Sequence, residues 1–306
     1  MAESLSLATL KLDEPRKFRT TVLISGSGSN LGAILAALPT DLSNSIVTHV
    51  LSSRPSAYGL TRAKEHNPPI PTSSFSLLAY RKTADKELDP TAVREAYDVD
   101  LAARIRKTRP DLVVLAGWML ILSPAFLKDL VRDWDEDDIG KKDPESEAKE
   151  TSAEEKKRGE LTGGDAANDG SANDERPATT TQVIDVDGVS SLATPGASPY
   201  ASLPARGTPI PIINLHPALP GQFPGAHAID NAFDAFKEGR ITNTGIMIHK
   251  VIPELDAGDA IVVKEVPIVA GDTLADLEER IHGVEHIAIV EAVAKVYEQL
   301  SNGTWN

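Results

Sequence analysis

Short apolar runs alternate with helix-forming segments through both ends of the chain. Strands are predicted at residues 19–25, 45–51, 111–116, 210–215, 243–251 and 260–268. Apolar runs of this length without polar alternation are typical of strands that are covered on both faces. The alternation therefore predicts an α/β fold, a doubly wound, mostly parallel open sheet with helices on both faces.

Helix signals fill the spaces between these strands. Asp89-Pro90 is an N-cap and first-turn pair, and Thr273-x-x-Asp276 has the pattern of a helix start. Helices are predicted at about 29–38, 57–66, 90–108, 228–237 and 273–300, with a short one after Ser123-Pro124. In such a fold, sites form where parallel strands end at their carboxyl edge.

Residues 133–207 interrupt this pattern. The segment is rich in Asp, Glu, Gly, Ser, Ala and Pro, and it has few large apolar residues with which to offset its ordering entropy. We interpret it as a long disordered insertion of low complexity and acidic character. The predicted organisation is a flexible tail at 1–18 and a single domain formed by 19–132 and 208–303.

Charge and cysteine content exclude several classes of protein. The 306 residues contain no cysteine, so disulfides and thiolate chemistry are absent. Residues 133–176 hold 16 acidic and 7 basic residues, which accounts for most of the net charge of −14. The acidic remainder argues against broad nucleic-acid binding. No apolar run reaches the length of a membrane span, and the N-terminus lacks a targeting pattern, so we expect a cytoplasmic enzyme.

The segment ISGSGSNL, residues 24–31, follows the first predicted strand. Glycines between a strand and a helix place backbone N–H groups around an anion, which suits a single phosphate monoester. The alternative is a tight strand-to-helix turn. A nicotinamide site is disfavoured, because Leu31 stands where the third fingerprint glycine belongs and residues 48–53 contain no acidic residue for a ribose.

Asn214-x-His216-Pro217 ends the strand at 210–215. Residues two apart in a strand share a face, so the amide and the imidazole should point into one crevice. An asparagine can donate to an oxygen that becomes negative, and a histidine can act as acid or base near neutral pH. The alternative is a hydrogen-bonded polar pair that closes the sheet.

Two further groups are weaker candidates. The loop Glu254–Asp259 could bring a carboxylate to the same crevice, or it could be an ordinary acidic turn. His282 and Glu285 share one face of the last helix, which could belong to the site or could be an ordinary solvated surface. Gly283 occupies the glutamate position of a two-histidine zinc motif, so no metal is expected.

Taken together, the motifs resemble the glycinamide ribonucleotide formyltransferase family, the folate-dependent enzymes of purine synthesis. The order and spacing agree over most of residues 19–300 outside the insertion. The matching stretches are VLISGSGSNL (22–31), REAYD (94–98), DLVVLAGWMLILSPAF (111–126), INLHPALPGQFPGAHAI (213–229), GIMIHKVIPELDAGDAIV (245–262) and EHIAIVEAV (285–293).

The resemblance implies the formyltransferase fold and transfer of a formyl group from 10-formyltetrahydrofolate to the amine of 5'-phosphoribosylglycinamide. It implies that Asn214 stabilises the oxyanion, that His216 is the general acid, and that Asp256 favours the imidazolium form of His216. The nucleotide would contact Gly28, Ser29, Asn30, His282 and Glu285. The folate would contact Arg94, Met119, Leu120, Ile121, Leu122, Asn214, Ile252, Leu255 and Asp256.

Other functions fit the residues less well. A formyltetrahydrofolate hydrolase would use water as the acceptor and would not need the glycine loop, and a tRNA formyltransferase would carry a nucleic-acid domain. A non-catalytic binding protein on the same scaffold would lack one of Asn214, His216 and Asp256. We expect small-molecule substrates, no nucleic acid or membrane partner, no metal, and at most a weak homodimer.

Overall fold

The computed structural model describes residues 17–85, 87–131 and 210–305. The strands are β1 (Phe18–Ile24), β2 (Ser45–Ser52), β3 (Thr72–Ser74), β4 (Leu112–Leu115), β5 (Ile212–His216), β6 (Asn243–Lys250) and β7 (Ala260–Pro267). The helices are α1 (Ser29–Ala37), α2 (Tyr58–Glu65), α3 (Leu77–Thr83), α4 (Pro90–Lys107), α5 (Pro124–Val131), α6 (Ala228–Lys237) and α7 (Leu274–Asn302).

The strands form one sheet in the order β3-β2-β1-β4-β5-β6-β7. The first five of these are parallel, whereas β6 and β7 are antiparallel to their neighbours. The chain moves outwards from β1 to β3 and then returns to β4 on the other side of β1. This reversal opens a crevice at the carboxyl ends of β1 and β4, which is where ligands bind in open α/β sheets.

Helices cover both faces of the sheet. The right-handed crossover rule predicts α1 and α2 on one face and, because the chain reverses direction after β3, α4 and α5 on the other. In agreement, α1 packs against α2 and α7, and α4 packs against α5. The main apolar cluster joins Val22 and Ile24 of β1 with Leu31 of α1 and Ile281 of α7. On α4, Tyr97 and other apolar side chains are fully buried. The predicted doubly wound fold is confirmed.

A buried ion pair fixes β1 beside β4. The Arg19 guanidinium donates to both carboxylate oxygens of Asp111, at 3.2 Å from Nε and 3.2 Å from Nη2, and the Arg19 backbone N–H donates to Asp111 Oδ2 at 2.9 Å. The two side chains are only 4% and 1% exposed. A paired, hydrogen-bonded arrangement of this kind is what makes buried charge tolerable.

Most predicted elements lie within two residues of their observed bounds, and two elements were not predicted. These are β3, a short edge strand of polar residues, and α3, which follows it. The predicted tail falls almost wholly, and the predicted insertion at 133–207 wholly, outside the described residues. Among the helices that the structure describes, none is both long and apolar enough to cross a bilayer.

Candidate active site

Asn214 and His216 lie at the end of β5 on the same face, as their spacing predicts. His249 of β6 pairs directly with Asn214 across the antiparallel ladder. The Asn214 amide nitrogen is 3.2 Å from His249 Nε2, and both histidines are buried. The sheet register therefore adds a second imidazole to the pair predicted from the sequence.

Asp256 completes this cluster from the loop between β6 and β7. Its Oδ2 atom is 3.5 Å from His216 Nδ1, and its Oδ1 atom is 3.4 Å from His249 Nε2. Asn214 Nδ2 donates to Oδ1 at 3.4 Å, and the Gly225 N–H donates to Oδ2 at 2.8 Å. The carboxylate thus contacts all three site side chains, and its own side chain is 8% exposed.

The loop that carries Asp256 is folded tightly against β6. Asp256 itself has a φ of 51°, in the left-handed region. A Cβ atom added to Gly258 would lie 1.8 Å from the Lys250 carbonyl oxygen, so only glycine fits there. This close approach holds the carboxylate beside the two histidines.

The pKa of Asp256 lies below its ordinary value. Burial alone would raise this pKa, but the hydrogen bonds from His249 and from the Gly225 N–H, together with the charges of His216 and His249, outweigh burial. Asp256 is therefore a carboxylate at neutral pH, able to accept hydrogen bonds and to stabilise positive charge on the neighbouring imidazoles.

Both ring nitrogens of His216 face acceptors. Nδ1 faces Asp256, and Nε2 is 3.3 Å from the Gln222 carbonyl oxygen, a long separation for a hydrogen bond. An N–H at Nε2 can therefore be transferred to a ligand with little loss of bonding. An amide donor, a titratable imidazole and a carboxylate in contact can stabilise an oxyanion and move a proton.

The glycine loop lies at the end of β1 and leads into α1. Gly28 caps α1 with a φ of 66°. Asn30 Nδ2 donates to Glu285 Oε2 of α7 at 3.0 Å, and these residues are only 7% and 5% exposed. Of the two predicted contact residues on α7, Glu285 joins the glycine loop, whereas His282 is exposed.

Apart from Arg94 of α4 and Asn214 of β5, the residues predicted to contact folate lie in the segments after β4 and β6. Arg94 donates to Asp98 at 3.0 Å and also to the Ile121 carbonyl oxygen, which ties α4 to the segment after β4. Leu122 is buried and Leu120 is partly buried. Four apolar side chains are exposed: Met119, Ile121, Ile252 and Leu255.

These groups share one edge of the sheet. The glycine loop follows β1, and Asn214 and His216 end β5, with only β4 between these two parallel strands. Two strand spacings correspond to about 10 Å. The glycine loop and the polar cluster are therefore about 10 Å apart along this edge.

Sequence reasoning missed His249, Gly225 and Gln222 as members of the site. His249 carried a signal, because it is the only histidine of β6, the largely apolar strand that precedes the Asp256 loop. Gly225 and Gln222 act through backbone atoms, for which side-chain identity gives no signal.

Comparison with known proteins identifies a family that the chain resembles in sequence. The family model described as formyl transferase matches residues 18–133 and 205–293. The phosphoribosylglycinamide formyltransferase of Schizosaccharomyces pombe is 37% identical over 277 residues, which cover 90% of this chain and 95% of that protein. The Dictyostelium discoideum protein of the same name is 38% identical over 278 residues, covering 90% and 96%.

A solved structure shows the same fold. The crystal structure of phosphoribosylglycinamide formyltransferase from Bacillus halodurans aligns with a TM-score of 0.58 at 22% identity, over 94% of this chain and 100% of that chain. The family is decided by the match of the family model and by the Schizosaccharomyces pombe and Dictyostelium discoideum relatives. The chain belongs to the formyl transferase family.

Proposed function

We propose that the chain transfers the formyl group of 10-formyltetrahydrofolate to the amine of 5'-phosphoribosylglycinamide, a step of purine synthesis. The names of the two relatives above support the acceptor and the transferred formyl group. The observation that carries the proposal is the convergence of Asn214, His216 and Asp256 at the end of β5, two strands from the glycine loop.

The reaction is a direct acyl transfer. The amine nitrogen attacks the formyl carbon, and the carbonyl oxygen becomes an oxyanion to which the Asn214 amide donates. Such a donor contributes about 3–4 kcal/mol in comparable acyl-transfer sites. The bond from the formyl carbon to folate N10 then breaks, and the products are the formylated nucleotide and tetrahydrofolate.

His216 and Asp256 manage the protons of this transfer. The imidazolium of His216 gives its Nε2 proton to the departing N10, while Asp256 stabilises the charged ring from the Nδ1 side. The attacking amine loses one proton, which returns to His216 directly or through water, so the protons balance over one turnover. Holding the amine and the formyl carbon together contributes on the order of 7–11 kcal/mol.

The two substrates would bind at the carboxyl ends of the strands, on either side of the reacting groups. The loop at Gly28, Ser29 and Asn30 holds the phosphate, and Glu285 accepts from the nucleotide's hydroxyl groups. The exposed apolar side chains after β4 and β6, with Arg94, surround the folate. We propose that this chemistry takes place in the cytoplasm, on small molecules, without a metal, and with the protein at most a weak homodimer.

The proposal is tested by acceptor dependence. Purified protein is mixed with 10-formyltetrahydrofolate, and the release of tetrahydrofolate is followed with and without the glycinamide nucleotide. We expect release only when the nucleotide is present, and an Asp256→Asn variant should be nearly inactive under the same conditions. Turnover at the same rate without the nucleotide would identify water as the acceptor and would support a hydrolase instead.

A further inference from the structure

The first turn of α2 packs against the glycine loop. The Gly59 N–H donates to the Gly26 carbonyl oxygen at 3.1 Å. A Cβ atom added to Gly28 would lie 2.6 Å from Gly59 Cα, so the two backbones are in direct contact. A side chain one turn further along α2 is therefore brought to the beginning of α1.

Arg62 is that side chain. Its Nε donates to the Ser27 carbonyl oxygen at 3.0 Å. Its guanidinium carbon lies over the Tyr58 ring, 5.0 Å from the ring centroid. Its Cδ and Nη1 atoms lie 3.7 and 3.8 Å from the positions that a Cβ would take on Gly28 and Gly32. The guanidinium therefore lies along the first turn of α1, where two glycines leave room for it.

The Arg62 side chain is exposed, and its charge lies beside the N-terminal end of α1. The N-terminal end of a helix is the positive end of its dipole, and α1 has no acidic residue in its first turn. The carboxylate of Glu285 is buried and already accepts from Asn30. A cation set beside a positive helix end fits a site that receives a negatively charged group.

The same end of α1 carries a polar atom without a partner. Asn30 is 93% buried, and among the described residues nothing hydrogen-bonds to its Oδ1 atom. No hydrogen bond to the terminal nitrogens of Arg62 is found in the described part of the chain either. The terminal N–H groups of Arg62 retain donor capacity that suits a phosphate, whereas Asn30 Oδ1 is an acceptor and suits a donor such as a nucleotide hydroxyl group.

We propose that Arg62 is a nucleotide-binding residue that supplies positive charge to the phosphate monoester held by the glycine loop. The inference rests on the proposed function and adds a residue from α2 to it. Nε bonds Ser27 and keeps the loop in shape, while the terminal N–H groups are left to donate to phosphate oxygens. A planar guanidinium is well suited to this task, because it offers several donors in fixed directions.

The test compares Arg62→Ala, Arg62→Lys and a matched control. Lys64→Ala removes the same charge from the same helix, at an exposed position in its last turn. We expect Arg62→Ala to raise the KM for the nucleotide about tenfold, as is usual for a lost hydrogen bond to a charged group, with kcat and the KM for folate within about twofold. Arg62→Lys should recover most of the loss, and Lys64→Ala should match the wild type.

Two measurements separate charge from loop shape. With glycinamide riboside, which lacks the phosphate, Arg62→Ala and the wild type should have the same KM. Inorganic phosphate, titrated as an inhibitor, should bind Arg62→Ala about tenfold more weakly, and the difference should shrink at high salt. An unchanged KM for the nucleotide, an Arg62→Lys variant as impaired as Arg62→Ala, or the same penalty with the riboside would each overturn the inference.

These outcomes are distinct from failure of the proposed function. A wild-type protein that shows no nucleotide-dependent turnover contradicts formyl transfer to this acceptor. Phosphate binding still decides the role of Arg62 in that case, because it needs no catalysis. Equal affinity of the wild type and Arg62→Ala for phosphate would then reject it.

Discussion

Asp256 contacts both buried histidines, and although burial raises its pKa, the hydrogen bonds from His249 and the Gly225 N–H and the charges of the two histidines lower it below its ordinary value. A carboxylate whose pKa is lower in the folded state stabilises the protein above its unfolded-state pKa, near 4. This stability is lost as the pH falls through the folded-state value.

We therefore predict that Asp256→Asn lowers the free energy of unfolding at pH 7 and that the difference from the wild type shrinks steadily below about pH 4. Urea unfolding at several pH values measures this difference. Glu254→Gln, at an exposed position of the same loop, should show no such trend. A difference that is constant down to pH 2 would contradict the assignment.

His216 combines long hydrogen bonds with a central place in the proposed chemistry. Because its contacts are 3.3 and 3.5 Å long, His216→Ala should lower the free energy of unfolding by about 1 kcal/mol through lost hydrogen bonds, and by a further amount through the cavity that its buried ring leaves. It should lower kcat by roughly 100-fold or more, as expected for a general acid. The steady-state rate and a thermal melt of the same preparation measure the two effects.

A matched control for His216 lies in the loop after β5. His227 is also 3.5 Å from an aspartate, Asp230, but its side chain is 79% exposed. His227→Asn keeps a residue type that tolerates its left-handed backbone, so it should leave kcat unchanged. Equal losses in the two variants would remove the special role of His216.

The site could be predicted from the sequence only in part. Asn214 and His216 were paired correctly, because a period of two along a strand is a local property. Asp256 came from family resemblance, since no local rule carries a loop carboxylate to a strand 40 residues away. His249 was missed because its place opposite Asn214 depends on the β5–β6 register, which the connection through α6 does not reveal.

At the scale of elements, the contact between β1 and β4 depends on the ion pair of Arg19 and Asp111. Replacing one partner leaves an uncompensated buried charge, so Asp111→Ala should lower the free energy of unfolding by about 3–5 kcal/mol. Chemical denaturation measures this loss. The exposed pair of Arg240 and Glu238 is the control, and Glu238→Ala should cost less than about 1 kcal/mol.

A double replacement separates charge from packing at the β1–β4 contact. Arg19→Met combined with Asp111→Leu removes both charges and keeps apolar volume, so it should recover part of the stability lost in Asp111→Ala. A double variant as unstable as the single one would show that the hydrogen bond from the Arg19 backbone N–H to the Asp111 side chain matters more than the charges.

The elements themselves were predicted well where burial imposes a clear pattern. The apolar runs of β1, β2 and β4 and the capping box at Thr273 and Asp276 gave bounds close to those observed. β3 was not predicted, because its residues Thr72–Ser74 are polar and only half-buried at the edge of the sheet. Pairing with β2 makes it a strand, and that pairing is not encoded in three residues.

At the scale of the whole molecule, the family model matches residues 18–133 and 205–293 and leaves the segment between them unmatched. The two matched parts meet where β4 pairs with β5. We therefore predict that deletion of residues 140–200 leaves kcat and KM within about threefold of the wild type. Steady-state kinetics and circular dichroism check this, and a variant that fails to fold would show that the segment is structural.

The pairing of β4 with β5 also joins the two parts of the chain that carry the candidate site residues. Residues before it supply the glycine loop, and residues after it supply the amide, the imidazole and the carboxylate. A chain interrupted between these two strands would separate the glycine loop from the amide, the imidazole and the carboxylate. Turnover therefore requires that both parts of the chain are present, folded and paired through β4 and β5.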